Sequence, residues 1–249
     1  MLGRKDEASG FNPVTAWKAL AEAPERPTTD AQCLEVSDAA LLLEAARTYH
    51  HVSANGGRTV LPFIYTLVAT CLLTGGRESE VLGLEIDDVN FDRKTITFRP
   101  NAWRRLKTRR AARTIRMWAQ LEELLRSYVF NADRAPARLL FPSPYTLSEA
   151  MVNDWRKSLD AVAVRAGWKR GEIRSKQFRH TYATARLQTI DRGAPVSSWT
   201  VAQELGHSGT AIIEKTYGHL GEVRHPAEVV EYRIDQHVAK LEAGWLCLP

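Results

Sequence analysis

The chain has 249 residues, of which 44% are hydrophobic and 25% are charged, and its formal net charge is +5. This composition excludes a mostly disordered protein, because it supplies enough apolar chain to bury a core. Its three cysteines, Cys33, Cys71 and Cys247, are too scattered for a disulfide framework, and no hydrophobic leader opens the chain. The longest apolar run, residues 60–74, is too short to span a bilayer. These features predict a cytoplasmic protein without a membrane segment.

The first third of the chain predicts a linker followed by helices. Residues 1–35 are rich in proline, alanine and charge, which is typical of a linker with one short helix at 13–21. Ser37 is the predicted N-cap of the next helix. Residues 60–74 are apolar nearly all round and predict a buried central helix, which Gly75 and Gly76 end. A short helix at 77–82 follows.

The rest of the chain predicts one small sheet and further helices. Short apolar runs at 87–91, 95–98 and 112–117 are typical of strands, and their closeness in sequence favours an antiparallel meander. Helices are predicted at 118–130, 147–166, 179–188, 199–205, 210–217 and 227–243. The predicted fold class is therefore α+β, mostly α-helical with a small antiparallel three-stranded sheet.

From residue 99 to residue 116, through the connection between the last two predicted strands and into the last strand, the chain carries basic residues without any intervening acid. They are Arg99, Arg104, Arg105, Lys107, Arg109, Arg110, Arg113 and Arg116. A solvated face usually mixes charges of both signs, so this stretch favours a phosphate-facing surface, with an exposed loop as the alternative. The predicted DNA contacts are Arg104, Arg105, Arg109, Arg110 and Arg113.

Two segments carry residues suited to phosphate chemistry. Cleaving a phosphodiester without a metal requires fixed cations, a nucleophile and a proton donor for the leaving oxygen. In TGGRESEVLGL, residues 74–84, Arg77 follows a glycine turn and Glu80 lies on the same helical face, where it can orient the guanidinium. In residues 106–115, Lys107 lies between two strands. Taken alone, these would be a surface ion pair and a solvated lysine.

Two later segments supply the remaining residue types. Lys176 and Arg179 are three residues apart at a predicted helix start, a place where phosphate binds favourably. The sequence LGHS contains His207, and Tyr217 ends the next predicted helix. Taken alone, these would be a basic helix cap, an ordinary polar histidine and a packing tyrosine. His180 is expected to pack behind such a site.

Together, the four segments resemble the tyrosine recombinases, and within them the integrases of phages and mobile elements. The family pattern is T-G-x-R-x-x-E-x-L-x-L, then a hairpin lysine and an Arg-x-hydrophobic strand. His-or-Lys-x-x-Arg-His-Thr, Leu-Gly-His-Ser and Tyr-x-His follow. All of these are present here in this order, and the resemblance covers roughly residues 35–220.

The resemblance implies a tyrosine recombinase catalytic-domain fold and an enzyme for site-specific recombination or integration of double-stranded DNA. Arg77 and Arg179 are then expected to clamp the scissile phosphate, and His207 to add a hydrogen bond. Tyr217 is expected to attack, which forms a 3′-phosphotyrosyl link and frees a 5′ oxygen that Lys107 protonates. The resemblance implies no metal and no other cofactor.

Three further expectations follow from the resemblance. Lys176 stands where the family usually has histidine, and it joins the catalytic set with its acid/base role open, while Glu80 and His180 are supporting residues. The expected domains are a linker at 1–35 without the helical DNA-gripping domain, a catalytic domain at 36–225, and a C-terminal helix and tail at 226–249. We expect a homotetramer on DNA. The alternatives are a DNA-binding fragment or regulator without independent cleavage, and a type IB topoisomerase-like activity.

Overall fold

The computed structural model describes residues 32–49, 61–106, 111–188, 190–191 and 194–217, which all lie in one compact unit. Its helices, in chain order, are α1 (Val36–Arg47), α2 (Ile64–Thr74), α3 (Glu78–Leu82), α4 (Ala119–Val129), α5 (Arg156–Arg165), α6 (Ser175–Leu187), α7 (Ser198–Leu205) and α8 (Ala211–Tyr217). Its strands are β1 (Val89–Asn90), β2 (Thr95–Phe98), β3 (Arg113–Arg116), β4 (Ile190–Asp191) and β5 (Ala194–Pro195). The helices predicted at 13–21 and 227–243 lie outside the described residues.

Helix α2 forms the centre of the core, as the sequence predicted. Ten of its eleven residues are buried, and α1, α3, α4 and α6 all pack against it. Gly75 then ends the helix with a left-handed φ of 59°. A Cβ atom at this position would come within 2.6 Å of Cδ1 of Tyr182, so both the conformation and the space require glycine. This turn places Arg77 at the start of α3.

The sheet β1-β2-β3 is an antiparallel meander, which confirms the predicted arrangement. Its buried face carries Ile96 and Phe98, and Ile96 pairs with Ile115 across β2 and β3. Strand β1 is shorter than predicted because residues Ile86–Asp88 form a 3-10 turn, in which the buried Asp88 carboxylate accepts the Glu85 N–H at 3.0 Å.

The predicted helix at 147–166 is wrong in its first half, since α5 begins only at Arg156. The segment before it pairs instead with an earlier part of the chain. Met151 forms an antiparallel bridge with Pro142, and the Ser143 N–H donates to the Ala150 carbonyl at 2.8 Å. These backbone pairings replace the helical ladder, although Trp155 continues the apolar stripe into the core.

Other predicted helix starts also differ from the structure, and α2 begins at Ile64 rather than at residue 60. Helix α1 begins at Val36, and its first ladder bond runs from the Ala39 N–H to the Glu35 carbonyl, so Ser37 lies inside the helix and is not its cap. Helix α6 begins at Ser175 rather than 179, because Gln177 accepts the Arg174 N–H at 2.6 Å and stabilises an earlier start. Its first two turns therefore carry both Lys176 and Arg179.

Candidate active site

Arg77 lies at the N-terminal boundary of α3, directly after the glycine turn. Its Nη1 donates to Oε1 of Glu80 at 2.7 Å, and its backbone N–H donates to Oε2 of the same carboxylate at 2.9 Å. The side chain is still 31% exposed. Because one carboxylate holds both the backbone and the guanidinium, Arg77 presents a positive charge of fixed orientation to solvent.

Glu80 is itself held by a second arginine from strand β3. Arg113 donates to Oε2 of Glu80 at 2.9 Å, to the Glu204 carbonyl at 2.6 Å and to the Ala111 carbonyl at 2.8 Å. The side chains of Glu80 and Arg113 are only 4% and 6% exposed. Burial alone raises the pKa of Glu80, but the charge and hydrogen bonds of Arg113, together with those of Arg77, outweigh it and lower the pKa overall. The carboxylate therefore stays ionised.

Arg179 on α6 joins the ends of two other helices. Its Nη1 donates to the Gly75 carbonyl at 2.7 Å, and its Nη2 donates to the Leu205 carbonyl at 2.6 Å and contacts Nε2 of His207 at 2.9 Å. A guanidinium has five N–H groups. These contacts leave the Nε–H and one Nη1–H without a partner among the described residues, so Arg179 can still donate to an anion.

The site carries an excess of positive charge. Burial, followed by the charges of Arg77 and Arg113, lowers the pKa of Arg179 to about 9, while the Glu80 carboxylate opposes this change. Arg179 therefore stays charged at neutral pH, and the charges of Arg77 and Arg113 repel it while the Glu80 carboxylate attracts it. An entering anion relieves their mutual repulsion, and arginine binds phosphate oxygens in a planar, paired geometry. The arrangement is suited to a phosphodiester group.

His207 follows the end of α7, where Gly206 takes a left-handed φ of 69°. Burial, followed by the charges of Arg179, Arg77 and Arg113, lowers the pKa of His207 to about 4, so its ring is neutral at pH 7. Because arginine only donates, Nε2 accepts the hydrogen bond from Arg179 and the proton lies on Nδ1. That Nδ1 atom is buried and has no hydrogen-bond partner within the described part of the chain.

Tyr217 lies at the end of α8 and is only 5% exposed. Burial raises the pKa of its hydroxyl to about 12, although the charge on Arg179 opposes this rise. The hydroxyl is hydrogen-bonded to Nδ1 of His180, and the two ring centroids are 5.8 Å apart. The expectation that His180 packs behind the site is therefore corrected, because its ring contacts the tyrosine hydroxyl directly.

Of the predicted site lysines and the arginines of the β2–β3 connection, only some lie within the described residues. Lys176 is exposed on α6, and its charge contributes to a lowered pKa of His180, after burial. Arg105 is exposed before the described segment ends at residue 106. The remaining predicted site residues of this connection, Lys107, Arg109 and Arg110, lie outside the described residues.

Arg104 and Arg113 do not face solvent, contrary to their predicted role as DNA contacts. The Arg104 side chain is 2% exposed, and it donates to the Arg99 carbonyl at 3.0 Å, to the Glu80 carbonyl, and to Asp88 at 3.4 Å. The Arg113 guanidinium lies 4.3 Å from the centre of the Phe98 ring. A buried arginine with these partners stabilises the junction of sheet and helices and is not free to bind a DNA backbone.

Glu204 is a site-supporting residue that the sequence did not reveal. Its carboxylate accepts two hydrogen bonds from Arg186, at 2.7 and 2.9 Å, and one from the Tyr182 hydroxyl at 3.0 Å. Its carbonyl accepts the bond from Arg113, next to the Leu205 carbonyl that binds Arg179. The partners lie on α6 and β3, so no local spacing indicates them.

The described residues form neither a metal-binding cluster nor a membrane-spanning helix. No group of three histidine, cysteine, aspartate or glutamate side chains is placed there to hold a metal ion. No helix in these ranges combines the length and the apolar character needed to cross a membrane.

The described domain is mostly helical and contains a three-stranded meander. Its site is formed by arginines from α3 and α6, a histidine after α7 and a buried tyrosine on α8. This is the fold of a tyrosine recombinase catalytic domain. The chain belongs to the phage integrase family, whose model matches residues 35–223. No curated protein matches the chain.

Three solved structures show similar folds. XerA recombinase has a TM-score of 0.55 and 22% identity, and the match covers 86% of this chain and 66% of that one. The catalytic domain of bacteriophage HP1 integrase has a TM-score of 0.50 and 20% identity, covering 77% and 89%. The Tn1549 transposon integrase in complex with circular intermediate DNA has a TM-score of 0.56 and 17% identity, covering 88% and 70%. The chain thus spans about two thirds of the length of XerA recombinase.

Proposed function

We propose that the protein is a tyrosine recombinase, which cuts and rejoins double-stranded DNA at specific sites through a 3′-phosphotyrosyl intermediate. The observation that carries this proposal is that the cationic side chains of Arg77 and Arg179 lie in one site with the neutral ring of His207, beside the buried Tyr217. Preorganised cations of this kind stabilise the charge that develops on the non-bridging oxygens of a phosphodiester in the transition state. Membership of the phage integrase family supports DNA as the substrate.

The proposed reaction is a transfer of one phosphoester bond. The Tyr217 oxygen attacks the phosphorus and loses its proton, while the bond to the 5′ oxygen breaks. Lys107, by the family resemblance, gives a proton to this oxygen, so that a 5′-hydroxyl leaves. Rejoining reverses these steps with a different 5′-hydroxyl. The phosphotyrosyl bond conserves the energy of the phosphodiester, so the cycle needs no nucleotide triphosphate.

We further propose that the protein acts as a homotetramer on double-stranded DNA in the cytoplasm, without a metal. The Tn1549 integrase, which was solved with DNA, supports the choice of partner by its similar fold. The described cysteines, Cys33 and Cys71, are free thiols, which is consistent with a reducing compartment. Charge neutralisation is assigned to Arg77, Arg179 and the two predicted lysines, so no bound cation is required.

The test is covalent capture on a library of randomised DNA duplexes, each nicked so that the cleaved end diffuses away. The full chain is incubated with the library in excess EDTA, and adducts that survive denaturation are isolated. We expect an adduct on one recurring DNA sequence, attached through the peptide that contains Tyr217. Binding without an adduct would favour the regulator, and sequence-indifferent relaxation of supercoiled plasmid would favour the topoisomerase. Strict dependence on added magnesium would contradict the metal-free mechanism.

The control is Tyr217→Phe, which removes only the nucleophilic oxygen. We expect this variant to bind the captured sequence with unchanged affinity and to form no adduct, because the guanidiniums that hold phosphate are intact. An adduct of undiminished yield in this variant would exclude Tyr217 as the nucleophile.

A further inference from the structure

The proposed reaction leaves one proton without an acceptor. Burial keeps the Tyr217 hydroxyl protonated at neutral pH, since its pKa is raised to about 12. The oxygen must nevertheless lose this proton as it bonds to phosphorus. Tyr217 as a whole residue is only 5% exposed, so bulk water has little access to it, and a side chain within hydrogen-bond reach of the hydroxyl is needed to accept the proton.

His180 is placed to be that side chain. Its Nδ1 is hydrogen-bonded to the Tyr217 hydroxyl, and the two rings meet at an interplanar angle of 56°. The ionisable groups whose charges act on this pair are Lys176 and Arg179 on the same helix and Cys33 from the segment before α1. Burial, followed by the charges of Lys176 and Arg179, lowers the pKa of His180, so the ring is neutral at pH 7 and Nδ1 has a lone pair to offer.

Lys176 is the competing candidate on the same helix. It is exposed, and among the described residues no hydrogen bond joins it to the Tyr217 hydroxyl, whose partner is Nδ1 of His180. The Arg179 guanidinium is only a donor. Of these neighbours on α6, His180 alone combines contact with the reacting oxygen and a basic nitrogen.

We propose that His180 is a catalytic residue that accepts the proton of Tyr217. As the new bond between the tyrosine oxygen and phosphorus forms, the proton moves from the hydroxyl to Nδ1 of His180. The electron pair of the breaking bond leaves with the 5′ oxygen. In the rejoining step, the His180 imidazolium returns the proton to the departing tyrosine oxygen. This assignment rests on the proposed function, because it requires Tyr217 to be the nucleophile.

The test measures single-turnover adduct formation from pH 6 to 10 on the captured nicked duplex. In His180→Asn, an amide nitrogen or oxygen occupies the position of Nδ1 but cannot act as a base. We expect adduct formation near pH 7 to fall by about 100-fold or more, with a rate that keeps rising with pH as free phenolate forms. A fluorinated tyrosine at position 217, whose phenol is more acidic, is expected to restore most of the rate in this variant.

Lys176→Gln is the matched control on the same helix. Its loss of rate, whatever its size, must not be restored by the fluorinated tyrosine. DNA binding shows that each variant is folded, and His180→Gln replaces His180→Asn if the latter does not bind. A His180 variant within threefold of the parent rate and with the parent pH profile would overturn the proposal, as would rescue of Lys176→Gln instead. Absence of any adduct with the unsubstituted protein would instead refute the proposed function itself.

Discussion

The most demanding stability prediction concerns Arg113→Met, which keeps the aliphatic stem of the side chain and removes its charge. Breaking a buried ion pair by removing one partner costs about 3–5 kcal/mol, because the other charge stays buried. Glu80 retains two hydrogen bonds from Arg77, which offsets part of this cost, but the Glu204 and Ala111 carbonyls lose their donors at about 1 kcal/mol or more each. We therefore expect the free energy of unfolding to fall by about 4 kcal/mol.

Urea denaturation followed by circular dichroism measures this change, with Arg126→Met as the control. Arg126 pairs with Glu122 on the exposed face of α4, and its loss is expected to leave the unfolding midpoint nearly unchanged. Adding Glu80→Gln to Arg113→Met must recover part of the lost stability, because an amide leaves no buried charge. A loss below about 1 kcal/mol in Arg113→Met, or no recovery in the double variant, would refute the burial argument.

Three further predictions concern catalysis, assembly and pH. Lys107→Ala is expected to slow cleavage. A 5′-bridging phosphorothiolate substrate is expected to restore much of the rate, because a sulfur leaving group needs little protonation. If the variant were equally slow on both substrates, Lys107 would contact the phosphate instead of protonating the leaving oxygen. Residues 230, 234, 238 and 241 form an apolar stripe in the predicted helix at 227–243. We expect deletion of 227–249 to weaken assembly on paired DNA sites more than it weakens binding to one site. If both were weakened equally and the melting temperature fell, this helix would instead be part of the domain core. Because the folded pKa of His207 is lowered from 6.5 to about 4, its neutral ring contributes stability that is complete above pH 6.5 and is lost as the pH falls towards 4. His207→Gln should flatten that part of the pH profile of unfolding, and an unchanged profile would contradict the lowered pKa.

The sequence predicted α2 and the three-stranded meander, because the form of both depends mainly on residues close together in the chain. Helix α2 is apolar all round and ends at a glycine that no other residue can replace, so both its burial and its end could be predicted. The meander followed from three neighbouring apolar runs. The start of α5 could not be predicted, because the bridge between Pro142 and Met151 is a tertiary contact that competes with a good helical pattern.

The candidate site shows the same division. The order and spacing of four motifs indicated Arg77, Arg179, His207 and Tyr217, and the structure brings the first three into one charged network. Charge alone could not show which arginines are buried, because that depends on carboxylates and carbonyls from distant elements. Arg113 was therefore expected on a DNA surface, although it is enclosed between the sheet and α7.

The contacts of Arg179 affect which site residues would be retained if DNA cleavage, as proposed, were no longer under selection. Its guanidinium ties the carbonyls that end α2 and α7, Gly75 and Leu205, into one junction. A lineage that stopped cutting DNA would therefore still be under pressure to keep Arg179, because replacing it leaves two carbonyls without donors. The Tyr217 hydroxyl binds no helix-ending carbonyl, and its partner among the described residues is Nδ1 of His180, so its loss as phenylalanine leaves one part-buried nitrogen without a partner rather than two carbonyls. Retention of Arg179 is thus a poor indicator that a related protein is still catalytically active. Retention of the Tyr217 hydroxyl is a better indicator.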